Sequence, residues 1–193
     1  MRRALAAAVG VLAVAAFGVA VWLIRAESDE TVAATAVVAT PDLIEQGRYL
    51  AQAGNCVACH TVPGQTPFAG GRRITTPFGD VFSSNLTPDD VTGIGAWSSA
   101  DFWRALHYGK SRDGRRLYPA FPYPNYTRVN RADADAIFAY LQSLPPAASA
   151  PQPATVRFPY NTALAQRVWR ALYFKPGERA PEPARSAEWN RGA

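Results

Sequence analysis

The chain has 193 residues, 48% hydrophobic and 18% charged, with a formal net charge of +5. That length leaves room for one domain of about 100 to 150 residues plus accessory segments and excludes two large domains, and the composition is that of a folded protein. The positive charge is scattered, with no long Lys/Arg block, so nucleic-acid binding has little support and only a weak preference for acidic partner surfaces remains.

Met1-Arg2-Arg3 precedes an uncharged stretch from Ala4 to Ile24, which is followed by Arg25 and the acidic cluster Glu27, Asp29 and Glu30. As a helix, 21 residues span about 31 Å, enough to cross the hydrocarbon core of a bilayer. The apolar region of a cleaved signal normally runs only about 7 to 15 residues, so the length predicts an uncleaved membrane anchor over residues 1–25. Its basic end stays in the cytoplasm, and the remainder of the chain is exported on either reading. Residues 26–40 read as a flexible tether.

A helix is expected from Pro41, with Thr40 as N-cap, Asp42 and Glu45 in the first turn, and Leu43, Ile44, Tyr49 and Leu50 at helical spacing. It leads into Gly54-Asn-Cys-Val-Ala-Cys-His-Thr61, which contains the C-x-x-C-H pattern of covalent haem attachment. Two thiols one turn apart add across the two vinyl groups of the porphyrin, and the next histidine then reaches the iron. The expected cofactor is one haem c, with Cys56 and Cys59 as thioether donors and His60 as both cofactor-binding residue and metal ligand. A redox disulfide normally follows a β-strand, and none is predicted before Cys56. Zinc lacks a second ligand pair.

Residues 61–97 are rich in Gly, Pro, Thr and Phe and are expected to wrap a flat ligand without regular structure. Ser98 is a predicted N-cap for a short helix that carries Asp101, Phe102, Leu106 and His107 and ends at Gly109. Asn130 caps another helix, with Ile137, Tyr140, Leu141 and Leu144 on one stripe and Pro145-Pro146 as its stop. The fold class expected for residues 41–146 is all-α.

This order of elements resembles a class I cytochrome c, in which the first and last helices cross at a small residue against an aromatic one; Gly47 is the expected small partner of Tyr140. More narrowly, SSNLTPDDVTGIGAWSSADFWRAL, DGRRLYPAFPYPNYTRV and ADAIFAYLQSLP resemble the cytochrome c subunits of membrane-bound periplasmic dehydrogenases, of the quinoprotein alcohol and molybdenum-containing aldehyde or N-heterocycle types. The resemblance implies an electron carrier without substrate chemistry of its own, at the cytoplasmic membrane with its haem domain facing the periplasm. Its implied partners are a dehydrogenase catalytic subunit and, as electron acceptor, quinone or a terminal oxidase.

In the alcohol dehydrogenase subunits that the chain resembles, a methionine in a YPAMPY-like loop completes the iron coordination. Here Phe121 stands at that place in Tyr118-Pro-Ala-Phe-Pro-Tyr123, and the one methionine of the chain is Met1. Three alternatives stay open: ligation by His107, an open iron packed against Phe121, or a group from elsewhere such as Lys110, a tyrosine or a partner domain. The open position is the basis of an alternative function as a haem enzyme or small-ligand sensor.

Beyond Pro145 the Pro/Ala-rich run reads as a linker. A helix is expected within NTALAQRVWRALYFKPG, with Leu164, Val168 and Leu172 on one stripe, packing on the haem domain or on a neighbour. The closing SAEWNRGA resembles the lead-in to a further haem domain, so residues 147–193 are expected to be a linker with one helix before an absent second domain.

Overall fold

The computed structural model describes residues 36–178 and 180–192, together with residues 2, 9–11, 13–14, 17–19 and 21. The chain divides into two compact units, one of residues 32–157 and 176–193, the other of residues 1–31 and 158–175.

The larger unit is built around a helix pair. Helix α1 (Pro41–Ala53) starts where the Thr40 side chain accepts from the Leu43 amide, with Pro41 contributing a preset φ at the first helical position. Helix α5 (Arg131–Gln142) starts in the same way, the Asn130 side chain accepting from the Asp133 amide at 2.9 Å. The two cross at Gly47. A Cβ there would lie 1.9 Å from the carbonyl oxygen of Ala136 and 2.9 Å from Cβ of Tyr140, so a bare backbone is required for the contact to form. The small partner is as expected. What it touches is chiefly the main chain of Ala136, with Tyr140 one turn further on.

Helix α3 (Ser99–Tyr108) lies against α5 and is closed at its start by a reciprocal capping box: Asp101 N–H donates to Ser98 Oγ, and Ser98 N–H donates to the Asp101 carboxylate. Gly109 ends it in the left-handed conformation. Phe102, Trp103 and Leu106 of α3 meet Ile137, Phe138 and Leu141 of α5, with Ala51 of α1 and the loop residues Phe68 and Ile94, in one buried core. Each large side chain buried in this way stabilises the fold by roughly 1.5–3 kcal/mol. Two short helices, α2 (Cys56–His60) and α4 (Tyr123–Tyr126), flank this core.

Two features correct the expected fold class. First, the domain is not all-α. Strands β1 (Arg73–Thr76) and β2 (Gly79–Phe82) form an antiparallel hairpin, Arg73 opposite Phe82 and Thr76 opposite Gly79, inside the segment expected to lack regular structure. Thr76 Oγ1 stabilises its turn by donating to Gly79 O, and Arg73 pairs with Asp80 across the strands.

Second, among the described residues no helix is long and apolar enough to cross a membrane, so the expected N-terminal transmembrane helix is not supported. The longest named helix, α1, has 13 residues, about 20 Å, against the roughly 30 Å of a hydrocarbon core. Most of Ala4–Ile24, on which that expectation rested, lies outside the described residues.

The stretch read as a linker is hydrogen-bonded to the domain at two places. Thr155 and Arg157 N–H groups donate to Asp80 O and Phe78 O, each at 2.9 Å, laying residues 155–157 along the outer edge of β2. Upstream, Ala147 and Ser149 join a buried polar network. Asn85 Nδ2 donates to Ala147 O at 2.7 Å and to Thr92 Oγ1 at 3.0 Å, while its Oδ1 accepts from the amide and hydroxyl of Thr87. The Ala147 amide donates back to Thr87 Oγ1, and Ser149 N–H donates to Thr92 Oγ1. Asn85→Ala strips this network of its centre and is expected to lower the unfolding free energy by about 3 kcal/mol, because several buried groups lose partners together. Denaturant unfolding of the wild-type and variant proteins measures it; a loss under about 1 kcal/mol would show that the segment is held by other contacts.

In the second unit, helix α6 (Ala163–Tyr173) is capped by Thr162, whose side chain accepts from the Ala165 amide. Its stripe residues Leu164, Val168 and Leu172 are exposed. Back in the larger unit, helix α7 (Ala187–Gly192) closes the described chain.

Candidate functional site

The C-x-x-C-H motif lies where the chain leaves α1 and immediately re-enters a helix. Gly54 ends α1 with its amide on Leu50 O at 2.8 Å, and Asn55 takes the left-handed conformation, φ 53°, one of the few non-glycine residues that tolerates it. Helix α2 then carries Cys56, Cys59 and His60 within little more than one turn. Both thiols are free: Cys56 is half-buried against the core, and Cys59 is exposed. Burial pushes the Cys56 thiol up to about 11, with the neighbouring Cys59 adding to the shift. Burial thus holds it as the neutral thiol, a poor thiolate ligand for a bare metal ion.

His60 Nδ1 lies 2.7 Å from Ser84 O. A carbonyl can only accept, so Nδ1 carries the proton and Nε2 keeps its lone pair for a metal. Burial lowers the His60 pKa and the bond to Ser84 offsets this only in part, which favours the neutral imidazole that ligation needs. Gly70 makes the contact possible. Its amide donates to His60 O at 2.8 Å, its φ is +74°, and a Cβ there would meet Ser84 C and O at 2.5 Å. The backbone of residues 83–85 can thus approach His60 only past a residue with no side chain.

On another side of the motif, Tyr126 Oη donates to Gly54 O at 2.7 Å, and Phe121 stacks on the Tyr126 ring at 5.4 Å and 17°. The Tyr126 hydroxyl is raised to about 12, first by burial and then by the Cys56 and Cys59 sulfurs.

His107 is buried in the last turn of α3, its ring stacked on Trp103 at 4.4 Å and edge-on to Tyr108 at 4.6 Å. Lys110 forms an isolated antiparallel bridge with Arg116 just beyond α3. The sequence reading missed Ser84, Gly70 and Tyr126. Gly70-Gly71 was the one available signal, a pair of glycines that implies an unusual backbone requirement, whereas a main-chain acceptor such as Ser84 O leaves no mark in residue identity.

Two free thiols one turn apart, with an imidazole whose Nε2 is left available, fit a covalently attached haem.

The cytochrome c family profile matches residues 44–145. The chain is 49% identical over 151 residues to a nicotinate dehydrogenase subunit from Pseudomonas putida, covering 78% of this chain and 13% of that protein. It is 43% identical over 143 residues to the gluconate 2-dehydrogenase cytochrome c subunit of Pantoea cypripedii, covering 74% and 32%. To a diheme cytochrome c-type protein of Cereibacter sphaeroides it is 32% identical over 202 residues, covering 96% and 64%. The chain thus spans less than a third of the length of the first two relatives.

Proposed function

The chain belongs to the cytochrome c family, and we propose that it carries electrons through one covalent haem c held by Cys56 and Cys59, with His60 as the iron's protein ligand. The observation that carries this reading is the bond from His60 Nδ1 to Ser84 O, which orients the imidazole and frees Nε2 beside the two thiols. The haem supplies the redox change, and the protein around it sets access and potential. The chain performs no substrate chemistry.

Its proposed electron donor is the catalytic subunit of a dehydrogenase, in keeping with relatives named as nicotinate and gluconate dehydrogenase subunits. Quinone or a terminal oxidase is the proposed acceptor. The basic-then-apolar N-terminal sequence supports export, which places the domain in the periplasm, at the outer face of the cytoplasmic membrane.

Purification of the tagged full chain from its native host tests this. A dehydrogenase is expected to co-purify, and adding that enzyme's substrate is expected to convert the haem absorption spectrum from the oxidised to the reduced form. Co-purification without reduction would refute the carrier role.

A further inference from the structure

We propose that helix α6 is a docking surface for an anionic phospholipid membrane, lying in the plane of the interface with its aliphatic stripe among the acyl chains and its basic border among the headgroups. This surface is independent of the haem attachment proposed above, because α6 belongs to the other compact unit, that of residues 1–31 and 158–175.

Leu164, Val168 and Leu172 recur every four residues and so form one row along the helix. They are 63%, 38% and 59% exposed, whereas Arg170, on the opposite face, is 3% exposed and lies over the Phe174 ring at 4.8 Å. Helix α6 thus turns a cation toward the protein and an aliphatic row outward, the reverse of what water alone selects. A contiguous row of this kind, bordered by polar residues, marks contact with an apolar phase or partner.

The charges select the occupant. Between residues 158 and 177 the chain carries Arg167, Arg170 and Lys175 and no aspartate or glutamate. Arg167 stands three residues from Leu164, and Trp169 three from Leu172, which sets a cation and an indole on the two flanks of the stripe. An aliphatic face with a basic border and an aromatic at its edge is the composition of helices that lie in the membrane interface, where the cations meet anionic headgroups. The 11 residues of α6 make a rod of about 17 Å, against the roughly 30 Å of a hydrocarbon core, so the helix lies along the surface and does not span it. A second copy of the chain fits this face less well, because it would bring the basic borders of two stripes together.

Hydrogen exchange of the full chain, read by mass spectrometry in the peptide covering residues 163–173, tests the surface. These amides are expected to exchange at least about tenfold more slowly on mixed phosphatidylglycerol and phosphatidylcholine vesicles than on phosphatidylcholine vesicles. Reading one peptide separates α6 from binding by any other segment. A variant with Leu164→Gln, Val168→Gln and Leu172→Gln is expected to lose the protection on both vesicles, and one with Arg167→Gln and Lys175→Gln to lose the difference between them. Equal exchange on the two compositions would overturn the proposal, as would protection that persists in the triple glutamine variant. Protection that rises with protein concentration in the absence of vesicles would overturn it in favour of a second copy, and protection by a purified dehydrogenase but not by vesicles would overturn it in favour of a protein partner. Haem content enters none of these readouts, so failure here and failure of the carrier reading are distinguishable.

Discussion

A chain in which Cys56 and Cys59 are both replaced by serine is expected to retain no haem after denaturing electrophoresis, while the wild-type band stains for it. Serine keeps the size and helical compatibility of α2 and removes only the sulfur. A hydroxyl does not add to a porphyrin vinyl group as a thiol does, so the link to the chain is lost. His60 alone then holds the group through one coordinate bond, which denaturant breaks. The single replacements are expected to leave one thioether each and a weaker, shifted signal.

The same experiment separates side chain from backbone at the imidazole. Ser84→Ala leaves intact the carbonyl that accepts from His60, and its haem content is expected to match the wild type. Gly70→Ala, by contrast, pushes a Cβ into that carbonyl, and the variant is expected to lose haem incorporation. Equal staining of wild type and the double serine variant would end the attachment proposal.

Gly47→Ala sets two effects of opposite sign against each other. Alanine favours helix by about 1 kcal/mol over glycine, and at an exposed position of α1 it would stabilise. At the crossing, however, the new Cβ lies 1.9 Å from Ala136 O and 2.5 Å from Ala136 C, and both are main-chain atoms that cannot rotate away. The helices must separate, which loosens the packing of Ala51 and Ala136 on both sides of the contact. Overpacking against rigid backbone costs about 3 kcal/mol or more, so the clash outweighs the propensity gain. Denaturant unfolding is expected to show a net loss of at least about 2 kcal/mol, with Gln52→Ala, exposed on the same helix, within about 0.5 kcal/mol of wild type. A neutral or stabilised Gly47→Ala would mean that the two backbones can part at the crossing without loss.

The helices were legible because their starts are written in local chemistry. Thr40, Ser98, Asn130 and Thr162 each accept the amide three residues on, and the apolar spacing behind them fixes which face is buried. The hairpin was not legible. Each strand has four residues, of which Val81 alone is fully buried, too little alternation to stand out from a loop. Its stability comes instead from residues 155–157, some 75 positions away, pairing onto its edge. The pairing of the linker onto this edge was illegible for the same reason: proline and alanine report local stiffness and say nothing of distant acceptors such as Asp80 O.

At the site, the motif announced Cys56, Cys59 and His60. The Ser84 carbonyl, the Gly54–Tyr126 bond and the burial of His107 all depend on tertiary approach. The transmembrane expectation was drawn from hydropathy alone, and none of the helices described is long enough to meet it.

The crossing at Gly47 also decides how such a domain fits into larger chains. Pro41, where α1 begins, and Gln142, where α5 ends, each lie under two helical turns from the contact with Ala136. The two ends therefore emerge from the same pair of helices, and everything between them closes into a loop anchored at its base. A unit built this way can be spliced into a host at a single surface point, or strung in series, without disturbing what lies on either side.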